Sequence, residues 1–195
     1  EKYYNFKFRE KNILVTYHPI TNDHQQTKKE ILSLISFLEK QKEKLIIFTF
    51  PNLDLFSNLV IDKINKFYKK NNNSILIKSM GQKNYFSTLR YVDCVIGNSS
   101  SGIIEVPFFK IPSINIGKRQ EGRLKSISVI DTNYDQKSME NAIKRAYSKS
   151  FLNKIKLSQN SYTNINVSKK MLNELKKISK KKIHSQSFFD LNFKL

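Results

Sequence analysis

The run Gly97-Asn98-Ser99-Ser100-Ser101-Gly102 is the densest chemical signal in the chain. Small hydroxyl side chains between two glycines, at the start of a helix, leave backbone N–H groups free and aimed outward. The helix end adds partial positive charge, so a phosphate group is a natural guest. A single serine would serve as an ordinary N-cap; three in succession exceed that need. Asn98, Ser101 and Gly102 are candidate contacts beside Ser99 and Ser100. Glu105 follows one helical turn later. A carboxylate there can accept from the vicinal hydroxyls of a ribose, or simply complement the helix dipole. Arg119 and Arg123 are among the few arginines. Their planar forks suit a diphosphate, and solvated surface charge is the alternative.

His18 stands beside Pro19 at the end of an apolar run. An imidazole there can bind phosphate or move a proton near neutral pH, unless backbone groups satisfy it. Tyr85, Phe86 and Tyr91 can stack on a base or pack in the core. His24 and His184 have no comparable placement. Cys94 lies mid-strand and is expected to be a buried, inert thiol. One cysteine excludes an internal disulfide framework and a multi-cysteine zinc site, and fits a reducing, cytoplasmic setting. No pair of carboxylates stands out as a general acid and base. No metal and no cofactor is expected.

Short β-rich runs alternate with amphipathic segments, the pattern of βαβ units and a parallel sheet. Strands are expected at 13–17, 45–49, 74–77, 93–96, 112–116 and, briefly, 128–130. Asp23 can cap a helix carrying Ile31, Leu34, Ile35 and Leu38 on one face. A second helix carries Leu55, Leu59, Ile61, Ile64 and Phe67. A short one is expected around Tyr85–Tyr91. A fourth, after the serine run, carries Ile103, Ile104 and Val106. From Gln136 onward the chain is helical and basic, with apolar Ile143, Leu157, Met171, Leu172, Leu175 and Ile178. In an open parallel sheet, ligands bind outside the carboxyl ends of the strands. His18, Asn52, Ser79-Met80-Gly81, the serine run and Gly117–Arg123 all follow a strand, so they gather on one rim. The expected fold is a Rossmann-like, doubly wound α/β lobe.

The chain has 195 residues and a formal net charge of +19. Clustered Lys and Arg would suggest nucleic acid, but the excess is mostly Lys, scattered over solvent-type positions. Lys, Asn and Ile are abundant and Ala is scarce, as a biased genome would produce. Nucleic acid is not the expected partner. With 39% hydrophobic and 12% aromatic residues the chain is not disordered. No apolar run reaches the roughly 18–20 residues of a membrane span. Glu1-Lys2-Tyr3-Tyr4 has neither an initiator Met nor an apolar signal core, so a piece of a longer protein is expected.

Four segments carry a family resemblance. They are Val15–Thr21 (VTYHPIT), Phe48–Asp54 (FTFPNLD), Gly97–Glu105 (GNSSSGIIE) and Asn115–Arg123 (NIGKRQEGR). In this order they resemble the hydrolysing UDP-N-acetylglucosamine 2-epimerases, and Phe188-Phe189-Asp190 is similar to the family's closing motif. Pro19 after His18 and Val106 after Glu105 favour the hydrolysing branch over the non-hydrolysing one. Lys118 departs from the family's usual Asp, and Asn160-Ser161-Tyr162-Thr163 from an Asn-Pro-Tyr-Gly turn.

The resemblance implies the carboxyl-terminal lobe of a glycosyltransferase-B-type fold. Residues 1–11 would be a remnant of the inter-lobe connection and 12–160 the UDP-binding lobe. Residues 161–195 would be a helical tail packing back toward the amino-terminal lobe. It also implies that Ser99 and Ser100 contact phosphate, and Glu105 the ribose. Asn52, Met80 and Arg119 would face the nucleotide, Met80 through its backbone near uracil. His18 would face the diphosphate and sugar. The implied partners are a UDP-sugar, UDP, the amino-terminal lobe with the remaining catalytic acids, and a second copy in a homo-oligomer. The implied reaction eliminates UDP to a glycal and adds water with inversion at C2. A glycosyltransferase lobe of the same fold is the alternative, and a basic nucleic-acid-binding module a more distant one.

Overall fold

A computed structural model describes residues 6–163 and 166–179. The chain divides into two compact units, Glu1–Tyr162 and Thr163–Leu195. The first unit is built on six parallel strands: β1 (Asn12–Thr16), β2 (Leu45–Thr49), β3 (Ser74–Ile77), β4 (Cys94–Gly97), β5 (Ser113–Ile116) and β6 (Val129–Thr132). Their order is β3-β2-β1-β4-β5-β6. The chain thus winds outward one way from β1 and then returns to wind the other way from β4. This is the doubly wound arrangement, and its crevice opens where the order reverses, between β1 and β4.

β1 and β2 are buried at all five positions, because helices cover both faces of the sheet. Alternate residues supply the two cores. Ile13, Val15, Ile46 and Phe48 join one core with Ile31, Leu34, Ile64, Met139 and Ile143. These helical residues come from α1 (His24–Glu39), α2 (Ser57–Lys70) and α5 (Gln136–Ala146). Leu14, Ile47 and Val95 point the other way, toward Met80, Leu89 and Val106. That face is covered by α3 (Gly81–Thr88), α4 (Ser101–Ile104) and a 3-10 helix (Val106–Phe109). Each fully buried Leu, Ile or Phe contributes about 1.5–3 kcal/mol. α6 (Lys149–Leu157) closes this unit, and its Phe151 and Ile155 reach the first core.

Asp23 caps α1, its carboxylate accepting from the Gln26 N–H at 2.8 Å. Three helix expectations need correction. The helix expected around Tyr85–Tyr91 begins at Gly81, because Gly81 supplies a positive φ of 62° that turns the chain directly out of the β3 loop. The helix after the serine run ends after one turn, since Pro107 lacks an N–H for continued α-helical bonding. Leu55 precedes α2 and is exposed, because Phe56 takes a left-handed conformation at the helix start. Leu157, expected in the apolar set, is also exposed. In the second unit, α7 (Val167–Ser179) places Met171, Leu172, Leu175 and Ile178 at helical spacing. Phe188-Phe189-Asp190 lies outside the described residues.

Gly97 ends β4 opposite Thr16, with φ 148°. A Cβ here would sit 1.9 Å from the Thr16 carbonyl oxygen, a backbone atom that has no room to move. Gly97→Ala is therefore expected to destabilise the chain by about 3 kcal/mol or more, measured by chemical denaturation. Gly81→Ala, whose Cβ meets open space, is expected to cost only the left-handed conformation, about 1–2 kcal/mol.

Candidate functional site

The loops after β1, β2, β3 and β4 enclose a cleft of about 420 Å³ at the carboxyl rim of the sheet. Its walls include His18, Asn52, Met80, Ser99, Ser101 and Glu105, so six of the expected site residues meet in one place. The floor holds Thr16 and Thr49, the last residues of adjacent strands, with their hydroxyls 2.6 Å apart. Neither threonine is among the residues expected at the site; the signal for them is a Thr at the carboxyl end of each of two neighbouring parallel strands.

His18 is buried, and its ring is held by a specific bond. The Asn52 N–H donates to His18 Nδ1 at 3.1 Å. Burial, helped by the nearby Arg119 charge and opposed by Asp54, pushes the imidazole down to about 4. At neutral pH the ring is therefore neutral, with its proton on Nε2. It acts as a hydrogen-bond donor, and the basic nitrogen is already occupied. This narrows the expectation that His18 moves a proton near neutral pH.

The serine turn behaves as a donor platform. Ser100 stands at the start of α4 without using its side chain as a cap. The N–H groups of Gly102, Ile103, Ile104 and Glu105 bond within the turn. Those of Ser99 and Ser100 meet no acceptor among the described residues. On the same cleft lining as Ser99, Glu105 has one carboxylate oxygen, Oε2, that is buried without any hydrogen-bond partner among the described residues. A buried carboxylate oxygen in that state needs a donor. Ser101 instead shares a 2.7 Å bond with the Tyr85 hydroxyl, which places Tyr85 on the wall beside Glu105. Burial pushes the Tyr85 phenol up to about 12. Tyr85 and Phe86 also pack against the second core.

Other expected residues sit behind or beside the cleft. Arg119 donates from Nη1 to the Asn98 carbonyl at 3.0 Å, which holds its guanidinium against the serine turn. Asp54, on the loop after β2, acts electrostatically on both Arg119 and His18. Arg123 is exposed and close enough to repel Arg119. Asn98 is fully buried with its side chain bonded to protein, and it offers no side-chain contact to a ligand. Gly102 is buried against β5, where a Cβ would lie 2.6 Å from the Ser113 hydroxyl; its smallness serves packing. Gln120, buried beside Asn98, was missed because nothing distinguishes one amide in a polar loop.

A larger depression, about 560 Å³, lies between the β5 and β6 ends and α5, with Lys118, Lys125, Asp131 and Arg145 on its walls. Lys125 pairs with Asp131 at 2.8 Å, and Arg145 lies 4.8 Å from the Phe151 ring centre. Volume alone does not make it the site. Among the described residues no cluster of His, Cys, Asp and Glu could hold a metal ion, and no helix is long and apolar enough to cross a membrane.

The profile of the family described as UDP-N-acetylglucosamine 2-epimerase matches residues 2–176. The chain belongs to this family. The family expected from the four motifs is thus the one found. One relative, the hydrolysing GDP/UDP-N,N'-diacetylbacillosamine 2-epimerase of Campylobacter jejuni, is 38% identical over 77% of this chain and 39% of its own length. Another, the hydrolysing UDP-N,N'-diacetylbacillosamine 2-epimerase of Legionella pneumophila, is 30% identical over 94% of this chain and 46% of its own length. The chain spans less than half the length of these relatives. The fold is similar to UDP-GlcNAc 2-epimerase from Neisseria meningitidis bound to UDP-GlcNAc, with TM-score 0.62 and 17% identity over 88% of this chain and 45% of that one. The Rossmann-like lobe of the glycosyltransferase-B type expected from sequence is the fold observed.

The His18 environment makes stability pH-dependent. Its native value, about 4, lies below the ordinary 6.5. Between those values the unfolded chain binds the extra proton, so acid favours unfolding. The contribution is complete above about pH 6.5 and is lost as pH falls to about 4, with a size of order 3 kcal/mol. Urea denaturation of the chain and of His18→Gln at pH 4.5 and 7.5 is expected to show a steeper loss in the unsubstituted chain.

Proposed function

We propose that this chain is the carboxyl-terminal, nucleotide-binding lobe of a hydrolysing UDP-N-acetylglucosamine 2-epimerase. The observation that carries the reading is a pair of unmet needs at one cleft: on its lining, the Ser99 N–H meets no acceptor among the described residues and Glu105 Oε2 lacks a donor, and the N–H of the neighbouring Ser100 is likewise without an acceptor. A nucleoside diphosphate supplies both, with anionic oxygens for the N–H groups and ribose hydroxyls for the carboxylate. Family membership and the matching fold make UDP the expected nucleotide.

On this reading the diphosphate rests on the serine turn and Arg119, whose guanidinium adds a charge-assisted bond. His18 donates from Nε2 to an oxygen of the diphosphate or sugar, and Asn52 fixes the tautomer that makes this possible. The Met80 backbone, at the start of α3, faces the base. A positively biased turn stabilises the charge that grows on the β-phosphate as the C1–O bond breaks. A base takes the C2 proton, UDP leaves, and a glycal remains. Water then adds at C1 and a proton returns to C2 on the opposite face. The balance is UDP-sugar plus water giving free 2-epimeric sugar plus UDP. The acids and bases for those proton steps belong to the amino-terminal lobe.

The substrate is UDP-N-acetylglucosamine or a diacetamido analogue, and the product an N-acetylmannosamine-type sugar for sialic-acid-like synthesis. The working enzyme is a cytoplasmic homo-oligomer without a cofactor, and the apolar stripe of α7 is covered by the amino-terminal lobe.

Calorimetric titration of UDP is expected to show binding that weakens about tenfold or more, roughly 1.5–3 kcal/mol, in Glu105→Ala and in Arg119→Ala. Unchanged affinity in both would remove the site assignment. With the full-length protein, release of UDP and free 2-epimeric sugar without an acceptor separates the epimerase from a glycosyltransferase, which would require one.

A further inference from the structure

Asn98 is fully buried, and each of its polar atoms is engaged. Its N–H donates to the Thr16 carbonyl at 3.3 Å. Its side chain forms a two-point clamp on the main chain of His18: Oδ1 accepts the His18 N–H at 2.7 Å, and Nδ2 donates to the His18 carbonyl at 2.8 Å. This clamp carries the β1–β4 pairing two residues past Thr16, where the ladder itself has ended. The Asn98 carbonyl faces the other way. It accepts Arg119 Nη1 at 3.0 Å and Gln120 Nε2 at 2.8 Å. Gln120 is itself buried, at 1% exposure.

Three loops that are far apart in sequence thus meet at one residue. The β1 loop brings His18, the β5 loop brings Arg119, and the β4 loop sits between them. Neither Asn98 nor Gln120 is on the cleft wall. Asn98, buried with each polar atom bonded, permits little adjustment, because any displaced polar atom would lose its partner without reaching water; Gln120 is tied through Nε2, while its Oε1 is buried without a hydrogen-bond partner among the described residues.

We propose that Asn98 and Gln120 are positioning residues that fix His18 and Arg119 relative to each other, so that both address one diphosphate. The proposal rests on the UDP reading above. Asn98 sets the His18 main chain, and through it the ring that receives the Asn52 N–H. Gln120 anchors the β5 loop, so that the Arg119 guanidinium does not have to hold that loop in place by itself. Neither residue touches the nucleotide.

The test compares UDP with uridine. Gln120→Met keeps the volume and removes the amide donor. Its UDP affinity is expected to fall about tenfold while uridine binding stays within about twofold. A residue that merely stabilises the lobe would weaken both ligands alike. Equal losses, or an unchanged UDP affinity, would overturn the proposal. Asn98→Ala is read by nitrogen NMR of the His18 imidazole. The unsubstituted chain is expected to hold a single Nε2–H tautomer with a value near 4. The variant is expected to mix tautomers and titrate closer to 6.5. An unshifted ring in a folded variant would also overturn the proposal. If the unsubstituted chain binds no UDP, the functional reading fails, and the His18 resonances still decide whether the clamp positions the ring.

Discussion

The close approach of β4 to β1 governs the rest of the lobe. Gly97 lies so near the Thr16 backbone that no side chain fits. That contact brings the ends of two strands together at the point where the sheet reverses its winding. A crevice there follows from topology. Its chemistry follows from what comes next in sequence on each strand, His18 after β1 and the serine turn after β4. Asn98 then fastens the two loops with side-chain bonds where the ladder can no longer do so.

Burial sets the protonation states around this junction. His18 is neutral because the sheet end excludes water and Arg119 stands nearby. On the far side, Glu30 is buried at 2% exposure, and burial raises its carboxyl above the ordinary value. It receives the Tyr17 hydroxyl at 2.8 Å and Gln26 Nε2 at 3.0 Å. Gly117 crosses directly over it, so that a Cβ would come within 2.6 Å of Oε1. The loop carrying Arg119 therefore starts from a polar seat built by β1 and α1. The large net charge of the chain plays little part in this, because most lysines among the described residues are exposed and Lys78 is the one among them that lines the cleft.

Much of this was legible in the residues. The β-rich runs gave all six strands within one or two residues at their ends, because fully buried parallel strands read as continuous apolar stretches. The rim placement of His18, Asn52, Met80, Ser99, Ser101 and Glu105 followed from strand order alone. Helix limits were less legible. Gly81 and Pro107 decide where α3 starts and α4 stops, and both act through single-residue backbone geometry that periodicity does not report. The role of Gln120 was invisible. A buried amide and a solvated one look the same in a polar loop, and only the three-dimensional meeting with Asn98 separates them. Asn98 itself was found, with a ligand-facing role that its buried bonds do not support.

A crystal structure of the chain with UDP would locate the nucleotide. The diphosphate is expected against the Ser99 and Ser100 N–H groups and Arg119, with a ribose hydroxyl bonded to Glu105 Oε2. UDP lodged instead in the depression beside Lys118 and Arg145, with Glu105 left unpartnered, would contradict that placement.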